Sequence, residues 1–243
     1  MHLFCYNEGM PRILQFLQLN STNAYAKEHA KELENGDVVC AEEQTTGRGR
    51  FNRKWISAQG GLYFSVLLKP NNTRHLPNLT QLMALCIGQT VRELGAPAQL
   101  KWPNDVLVNN QKLSGILSEV VLEQNRFYAL VIGVGINIRQ ADLSQVGQPA
   151  VSLEALNIHI SRQDMLARLL KRFNARLPKA LAEGFASFGE EYKALSPYIG
   201  RTVCITAGGG KTAGTVRDIS SAGTLLLHTQ QGLQEFSIGD MNA

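Results

Sequence analysis

Lys101-Trp102-Pro103-Asn104-Asp105 sets a cation, an indole, an amide and a carboxylate side by side. A turn follows at Val108-Asn109-Asn110-Gln111, and Lys112 then enters a second apolar run that ends at Leu117. A hairpin of this length sends Asn104, Asp105 and Lys112 from adjacent strands toward one place. A lysine rising from a buried hairpin is a fixed positive charge, and it suits an anion. Upstream, Gly47-Arg48-Gly49-Arg50 is followed closely by Arg53 and Trp55. Its glycines free the backbone to turn successive N–H groups on an anion, and its arginines add planar, permanently charged forks. Downstream lies Gly133-Val134-Gly135-Ile136-Asn137. Together the three clusters point to an enzyme that handles a carboxylate and a nucleoside phosphate.

Each cluster also has a plainer reading. The Gly47–Arg50 stretch could be a solvated basic loop. Glycines at 133 and 135 within an apolar strand mark a bulge or a neighbour packed closely against it. The third glycine and the helix start of a dinucleotide fingerprint are missing, so that fold is not supported. Asn137 could donate to and accept from the edge of a purine. Ser21-Thr22-Asn23 reads as a helix N-cap that also offers three hydrogen-bonding side chains. Gln44 could be simple loop polarity, and Trp55 and Trp102 could be core aromatics. The histidines share no metal-ligand spacing, and no nucleophile-His-acid order suggests a hydrolase.

These residues need a scaffold. The chain has 243 residues, 44% hydrophobic and 18% charged, with a net charge of +4. That is globular and mildly basic: it favours anionic ligands without implying nucleic acid. Cys5, Cys40, Cys86 and Cys204 form no Cys-x-x-Cys pair, and Cys40 and Cys86 sit in apolar runs as small core residues. Disulfides are not expected, which fits a cytoplasmic protein. No secretory leader and no membrane span are expected.

Helix formers fill 23–34, a short strand follows at 38–41, and 44–60 is a polar, Gly-rich, basic loop. Gly61–Leu68 reads as a strand and 77–95 as a helix with apolar residues at helical spacing. Residues 99–137 read as three or four antiparallel strands that turn at Asn109-Asn110 and Gln124-Asn125. Residues 161–183 form a second amphipathic helix that opens on Ser161 and Asp164. After Pro197 short strands with Gly-rich turns read as a small β-barrel. The expectation is an α+β body over 1–195 and a small barrel over 196–243.

With these clusters in this order, the chain resembles the biotin protein ligases. The matching elements are Ser21-Thr22-Asn23, Gln44, Gly47 to Arg50 with Arg53-Lys54-Trp55, Lys101 to Asp105, Lys112 to Leu117, and Gly133 to Asn137. The barrel is matched more loosely. The resemblance implies a class II synthetase-like core with a mixed, mainly antiparallel sheet and an SH3-like C-terminal barrel. It is closest to the short members that ligate without an N-terminal DNA-binding domain. Two positions depart from the family loop: Phe51 and Asn52 stand where it usually carries a basic or small residue and then glycine.

The resemblance further implies biotin and ATP as substrates, with Mg²⁺, and biotinyl-AMP as the intermediate. Its acceptor is a lysine on the biotin carboxyl carrier protein of acetyl-CoA carboxylase or another biotin-dependent carboxylase. On this reading Lys112 bridges the biotin carboxylate and the α-phosphate. Arg48 and Arg50 hold phosphates and close the loop, with Arg53 and Asn104 beside the nucleotide. Ser21, Thr22, Asn23 and Gln44 face the ureido ring, and Gly47, Trp55 and Gly115 pack against biotin. Asn137 reads adenine. Asp105 either orients Lys112 or helps hold Mg²⁺. No nucleic-acid or membrane partner is implied, and monomer and homodimer stay open. The rivals are a lipoate or octanoate protein ligase, a biotin-sensing DNA-binding repressor and a binding-only module.

Overall fold

The structure is a computed structural model that describes residues 2–4, 11–140, 143 and 146–242. Cys5 lies outside the described residues. The chain is α+β and divides into two compact units, Met1–Thr73 with Asn110–Arg168, and Arg74–Asn109 with Leu169–Ala243.

The first unit is built on six strands: β1 (His2–Phe4), β2 (Ile13–Leu19), β3 (Val38–Gln44), β4 (Leu62–Leu68), β7 (Gln111–Glu123) and β8 (Arg126–Ile136). Their order is β1-β2-β3-β4-β8-β7. Among the described residues β2 and β3 are the one pair of these strands that runs parallel, because α1 (Thr22–Glu28) lies between them in sequence and carries the chain back. The strand β4, LYFSVLL, is buried at every position, which its place between β3 and β8 requires. One sheet face packs Leu14, Val39, Leu67, Ala129 and Val131 against Ala26, Ala30 and Leu33 of α1 and the turn after it. The hairpin β7–β8 turns at Gln124 and Asn125, at φ 48° and 61°. Positive φ at both central residues gives the turn whose twist matches paired strands.

The second unit holds α2 (Leu76–Glu93), the hairpin β5 (Ala98–Lys101) and β6 (Asp105–Val108), and α4 (Gly189–Ala194). The apolar stripe of α2 (Leu79, Leu82, Met83, Cys86, Ile87, Val91) is wholly buried. After α4 come β9 (Thr202–Ala207), β10 (Gly210–Ile219), β11 (Leu225–Thr229), β12 (Gly232–Phe236) and β13 (Asp240–Asn242). They form an antiparallel sheet in the order β12-β11-β10-β9-β13. Its 222–223 turn is held by three side chains: Trp102 Nε1 donates to Gly223 O at 3.0 Å, Gln81 Nε2 to the same oxygen at 2.7 Å, and Asn78 Nδ2 to Ala222 O at 2.8 Å. Trp102, 2% exposed, is therefore a core residue with a specific polar task.

The helix α3 (Arg162–Glu183) crosses the boundary between the units in sequence. It opens at the expected Ser161, whose Oγ accepts from Asp164 N at 2.9 Å. The Asp164 carboxylate accepts in turn from the Ser161 hydroxyl at 2.7 Å. Residue 195/196 separates the two sheets in sequence but not the two compact units. The helix expected over 23–34 is shorter: α1 ends at Glu28, and tight turns return the chain to β3. Cys40 and Cys86 are buried free thiols, which burial pushes up to about 12. Among the described residues no helix is long and apolar enough to cross a membrane.

Candidate active site

The site begins where β3 and α1 meet. Parallel pairing sets Leu19 of β2 opposite Gln44 of β3, so the chain leaving β2 enters α1 beside Gln44. Ser21 caps α1, accepting from Ala24 N at 3.4 Å. Thr22 N donates to Gln44 Oε1 at 2.8 Å, and Gln44 Nε2 donates to Ser57 Oγ at 2.8 Å. Ser65, on the central strand, joins the cluster: its Oγ lies 2.8 Å from Thr22 Oγ1 and 2.6 Å from Asn23 Oδ1. Asn23 Nδ2 donates to Leu117 O at 3.1 Å and to Glu119 Oε2 at 2.8 Å. Lys27 Nζ closes the chain on Glu119 Oε1 at 2.6 Å. Burial pushes Glu119 up, but hydrogen bonds from Lys27 and Asn23 and the charges of Lys27 and Arg48 leave it below the ordinary carboxylate value.

Beside this polar wall β7 and β8 present a bare patch. Gly115 and Gly135 are paired across the two strands, and the Trp55 indole lies against both. A Cβ on Gly135 would stand 2.4 Å from Trp55 Nε1, and one on Gly115 would stand 2.9 Å from Trp55 Cζ3 and 3.1 Å from Lys112 Cε. Gly133 does the same for the polar wall, since a Cβ there would stand 2.0 Å from Asn23 Oδ1. The glycines of β8 thus mark close approach by two site residues, as their sequence pattern suggests. Lys112 Nζ sits 5.4 Å from the indole centroid, within cation–π range.

The loop that carries Trp55 is folded on itself. Trp55 N donates to Gly47 O at 2.9 Å and Gly49 N to Arg53 O at 2.7 Å, with Arg48 bridged to Lys54. The chain reverses through Phe51 and Asn52, both left-handed at φ 54° and 58°. The resemblance leads one to expect a basic or small residue and then glycine at these two positions, and the backbone there takes the conformation that glycine adopts most freely. The Arg50 guanidinium rests 4.9 Å from the Phe51 ring centroid. Arg48, Arg53 and Lys54 are exposed and Arg50 half-buried, so the hairpin displays a concentrated positive charge.

The backbone of Lys112 is fixed from two sides: its N–H donates to Pro149 O at 2.9 Å, and its carbonyl accepts from Val151 N at 3.0 Å and Asn137 Nδ2 at 3.2 Å. Asn137 is buried and also donates to Val151 O at 3.1 Å. Both amide hydrogens are thereby used, so what Asn137 can offer a ligand is Oδ1, which accepts only a long 3.4 Å contact from Gln140 Nε2. The first unit therefore brings together Ser21, Thr22, Asn23, Gln44, Gly47, Trp55 and Gly115, and holds Arg48, Arg50, Arg53, Lys112 and Asn137. Asn104 and Asp105 belong to the second unit, at the β5–β6 turn, where Lys101 pairs with Asp105 and the Trp102–Pro103 peptide is cis.

Ser65, Glu119, Lys27 and Ser57 were not singled out from the sequence. One signal was available for Ser65: a lone hydroxyl in LYFSVLL, a strand apolar enough to be buried on both faces, must find a partner. A cavity of about 170 Å³ is lined by residues of β2, β3, β4 and α3, among them Phe16, Cys40, Glu42 and Arg162, and contains none of the site residues.

Residues 15–137 match the biotin/lipoate A/B protein ligase family, and residues 198–241 match the biotin protein ligase C-terminal domain. The chain is 34% identical over 235 residues to the biotin–[acetyl-CoA-carboxylase] ligase of Mycobacterium tuberculosis, covering 92% of this chain and 86% of that protein. It is 33% identical over 220 residues to the bifunctional ligase/repressor BirA of Escherichia coli, covering 88% of this chain and 68% of BirA. Among solved structures it resembles the biotin protein ligase of Aquifex aeolicus in complex with biotin and ATP, at a TM-score of 0.84 and 31% identity, covering 95% of this chain and 97% of the other.

Proposed function

This chain belongs to the biotin protein ligase family, and on that premise we propose a role in its reaction for each residue of the site. The protein is an ATP-dependent ligase that activates biotin as biotinyl-5′-AMP and transfers it to a lysine of a biotin carboxyl carrier protein. In the first step a biotin carboxylate oxygen attacks the α-phosphorus of ATP, and pyrophosphate leaves with the electrons of the broken P–O bond. In the second, the carrier lysine amine attacks the acyl carbon, gives up a proton, and AMP leaves.

The observation that carries the reading is the junction of three surfaces in one unit: a polar wall, a bare glycine patch under Trp55, and Lys112 at its edge. A ureido ring brings N–H donors and a carbonyl acceptor, and we assign Ser21, Thr22 and Gln44 to pair with them. The thiophane ring and valeryl chain need an apolar slot, which Trp55, Gly115 and Gly135 supply. The carboxylate at the chain's far end then meets Lys112, which we assign to hold it against the α-phosphate and to neutralise charge as it develops there. Arg48, Arg50 and Arg53 bind phosphate and keep water from the anhydride. Asn137 Oδ1 accepts from the adenine amino group, and Asn104 lines the nucleotide.

Magnesium enters this scheme with the nucleotide. Mg²⁺ would neutralise charge on the phosphates, and Asp105, the carboxylate at the β5–β6 turn, is the residue we propose would help hold it. The acceptor we propose is the carrier domain of acetyl-CoA carboxylase, in the cytoplasm. Lipoate lacks the ureido group, so a site built to bond one leaves its polar atoms unpaired against lipoate.

The test is pyrophosphate release with ATP, Mg²⁺ and either biotin or lipoate, with the bound adenylate followed by mass. Biotin should support release and lipoate should not. Lys112→Ala should lower adenylation about 10²-fold or more. Wild-type rates in that variant would remove Lys112 from the mechanism.

A further inference from the structure

The face of the first unit's sheet that is turned away from α1 carries the cavity of about 170 Å³, which shares no residue with the site. Side chains alternate across a strand, and Val39 and Leu67 point toward α1. Cys40 and Glu42 of β3 and Leu62 of β4 therefore point to the other side, where Arg162 and Leu166 of α3 line the cavity with them. Cys40, Leu62 and Leu166 are buried and make an apolar floor, while Leu17, 78% exposed, marks the open side. One wall is an ion pair. Arg162 Nη2 donates to Glu42 Oε1 at 2.8 Å, and the two side chains are 21% and 43% exposed. Among the described residues this is the one hydrogen bond that either side chain makes, so the other guanidinium hydrogens and Glu42 Oε2 have no protein partner.

We propose that this cavity is a second binding site, for a single planar ring that carries a neutral carboxamide. The volume sets the body of the ligand, since a cavity of about 150 Å³ holds one benzene ring. The ion pair sets its head. The two charges already cancel, so a carboxylate drawn to Arg162 would also meet Glu42, and an ammonium drawn to Glu42 would also meet Arg162. Either would leave a charge uncompensated in a partly buried place. A carboxamide holds a carbonyl oxygen and an N–H side by side on one carbon. The oxygen accepts from an unused Arg162 N–H and the N–H donates to Glu42 Oε2, so the pair stays intact and each partner gains a bond. The ring lies on Cys40, Leu62 and Leu166, where the thiol is the one polar group and a weak one. The proposal does not rest on the ligase reading, because its residues are separate from those assigned to biotin and ATP.

The experiment is a ligand-observed NMR titration of the full chain with benzamide, benzoate and benzylamine, three rings of one size with a neutral, an anionic and a cationic head. Benzamide should bind about fivefold or more tightly than either of the others, the effect of one well-made hydrogen bond. No binding of benzamide, or equal binding of a charged ring, would overturn the proposal. Arg162→Met keeps an unbranched stem and removes the donors, so it should weaken benzamide about tenfold or more, with thermal unfolding to confirm the fold. An unchanged affinity would place the ring elsewhere and overturn the assignment. Glu42→Gln tests the head without removing the guanidinium, at a side chain 43% exposed. Arg162 then has no counter-charge, and benzoate should overtake benzamide; benzamide still ahead would refute the argument from charge. Benzamide should also leave biotin-dependent pyrophosphate release unchanged, whereas competition with biotin would put the probe in the ligase site and sink the second one.

Discussion

Alanine at Gly133 and alanine at Gly135 add the same methyl group to one strand, two residues apart, and should differ by several kcal/mol. Neither glycine has a positive φ, so in open space each change would gain about 0.4–1 kcal/mol from a stiffer unfolded chain. The neighbours decide the outcome. A Cβ at 133 would stand 2.0 Å from Asn23 Oδ1 and 2.6 Å from Asn23 Cγ, against about 3.5–4.0 Å for an ordinary contact. Asn23 is 4% exposed and cannot retreat without parting from Ser65, Leu117 O or Glu119. Overpacking costs about 1–3 kcal/mol. A buried amide stripped of a partner adds about 1–3 kcal/mol. A Cβ at 135 would strike Trp55 at 2.4 Å, but Trp55 is half-buried on a loop, and its indole N–H has no hydrogen-bond partner to lose. The indole can swing away. Gly133→Ala should therefore lose about 2–5 kcal/mol in urea denaturation. Gly135→Ala should stay within about 1 kcal/mol of wild type yet form biotinyl-AMP poorly, because Trp55 no longer lies on β8. Gly147→Ala is the control, since a Cβ there meets nothing within 4 Å. If Gly133→Ala proves as stable as Gly147→Ala, or less damaging than Gly135→Ala, the argument from close approach is wrong.

Trp102→Phe keeps most of the buried ring and deletes the hydrogen bond to Gly223 O, so it should destabilise the protein by about 1–3 kcal/mol in urea denaturation while pyrophosphate release persists. In the loop, Phe51→Gly removes a left-handed residue that costs about 1–2 kcal/mol but also the Arg50–Phe51 stacking, worth about 0.5–1 kcal/mol. Unfolding should barely move, whereas trypsin should cut at Arg50 and Arg53 several-fold faster, and unchanged cleavage would show that Phe51 does not stiffen the hairpin. Finally, burial pushes the Cys40 and Cys86 thiols up to about 12, so both stay protonated at pH 8. A thiol reagent should label Cys204 in the native protein and reach Cys40 and Cys86 only after denaturation; fast native labelling of either would contradict their burial.

What could be read from the sequence was whatever is decided locally. Asn109-Asn110 and Gln124-Asn125 turn the chain because adjacent residues accept positive φ, and the stripe of α2 is buried because its spacing allows nothing else. Stretches with mixed local signals were harder. The seven residues of β2, ILQFLQL, alternate imperfectly, and pairing with β3 is what makes them a strand. The helix formers after Asn23 continue to Glu34, yet α1 stops at Glu28, because the chain must turn back to reach β3 at Val38. Lys27 and Glu119 lie 92 residues apart, and neither has a distinguishing neighbour in sequence.

Gly133 and Gly135 fall between these cases. Their spacing announces that something approaches β8, but only the fold says what: Asn23 at one, Trp55 at the other. The two contacts lie on one face of the strand, two residues apart, so a single element sets the distance between the polar end of the site and its apolar slot. Lys112 stands at the far end of the paired strand β7, where its backbone is pinned from both sides. The spacing from the polar wall to the lysine is therefore held by β7 and β8 and by the backbone bonds of Lys112, and the loop supplies only the cover. In a reaction whose barrier depends on placing a carboxylate against a phosphorus, the part that must not move has been built into the sheet.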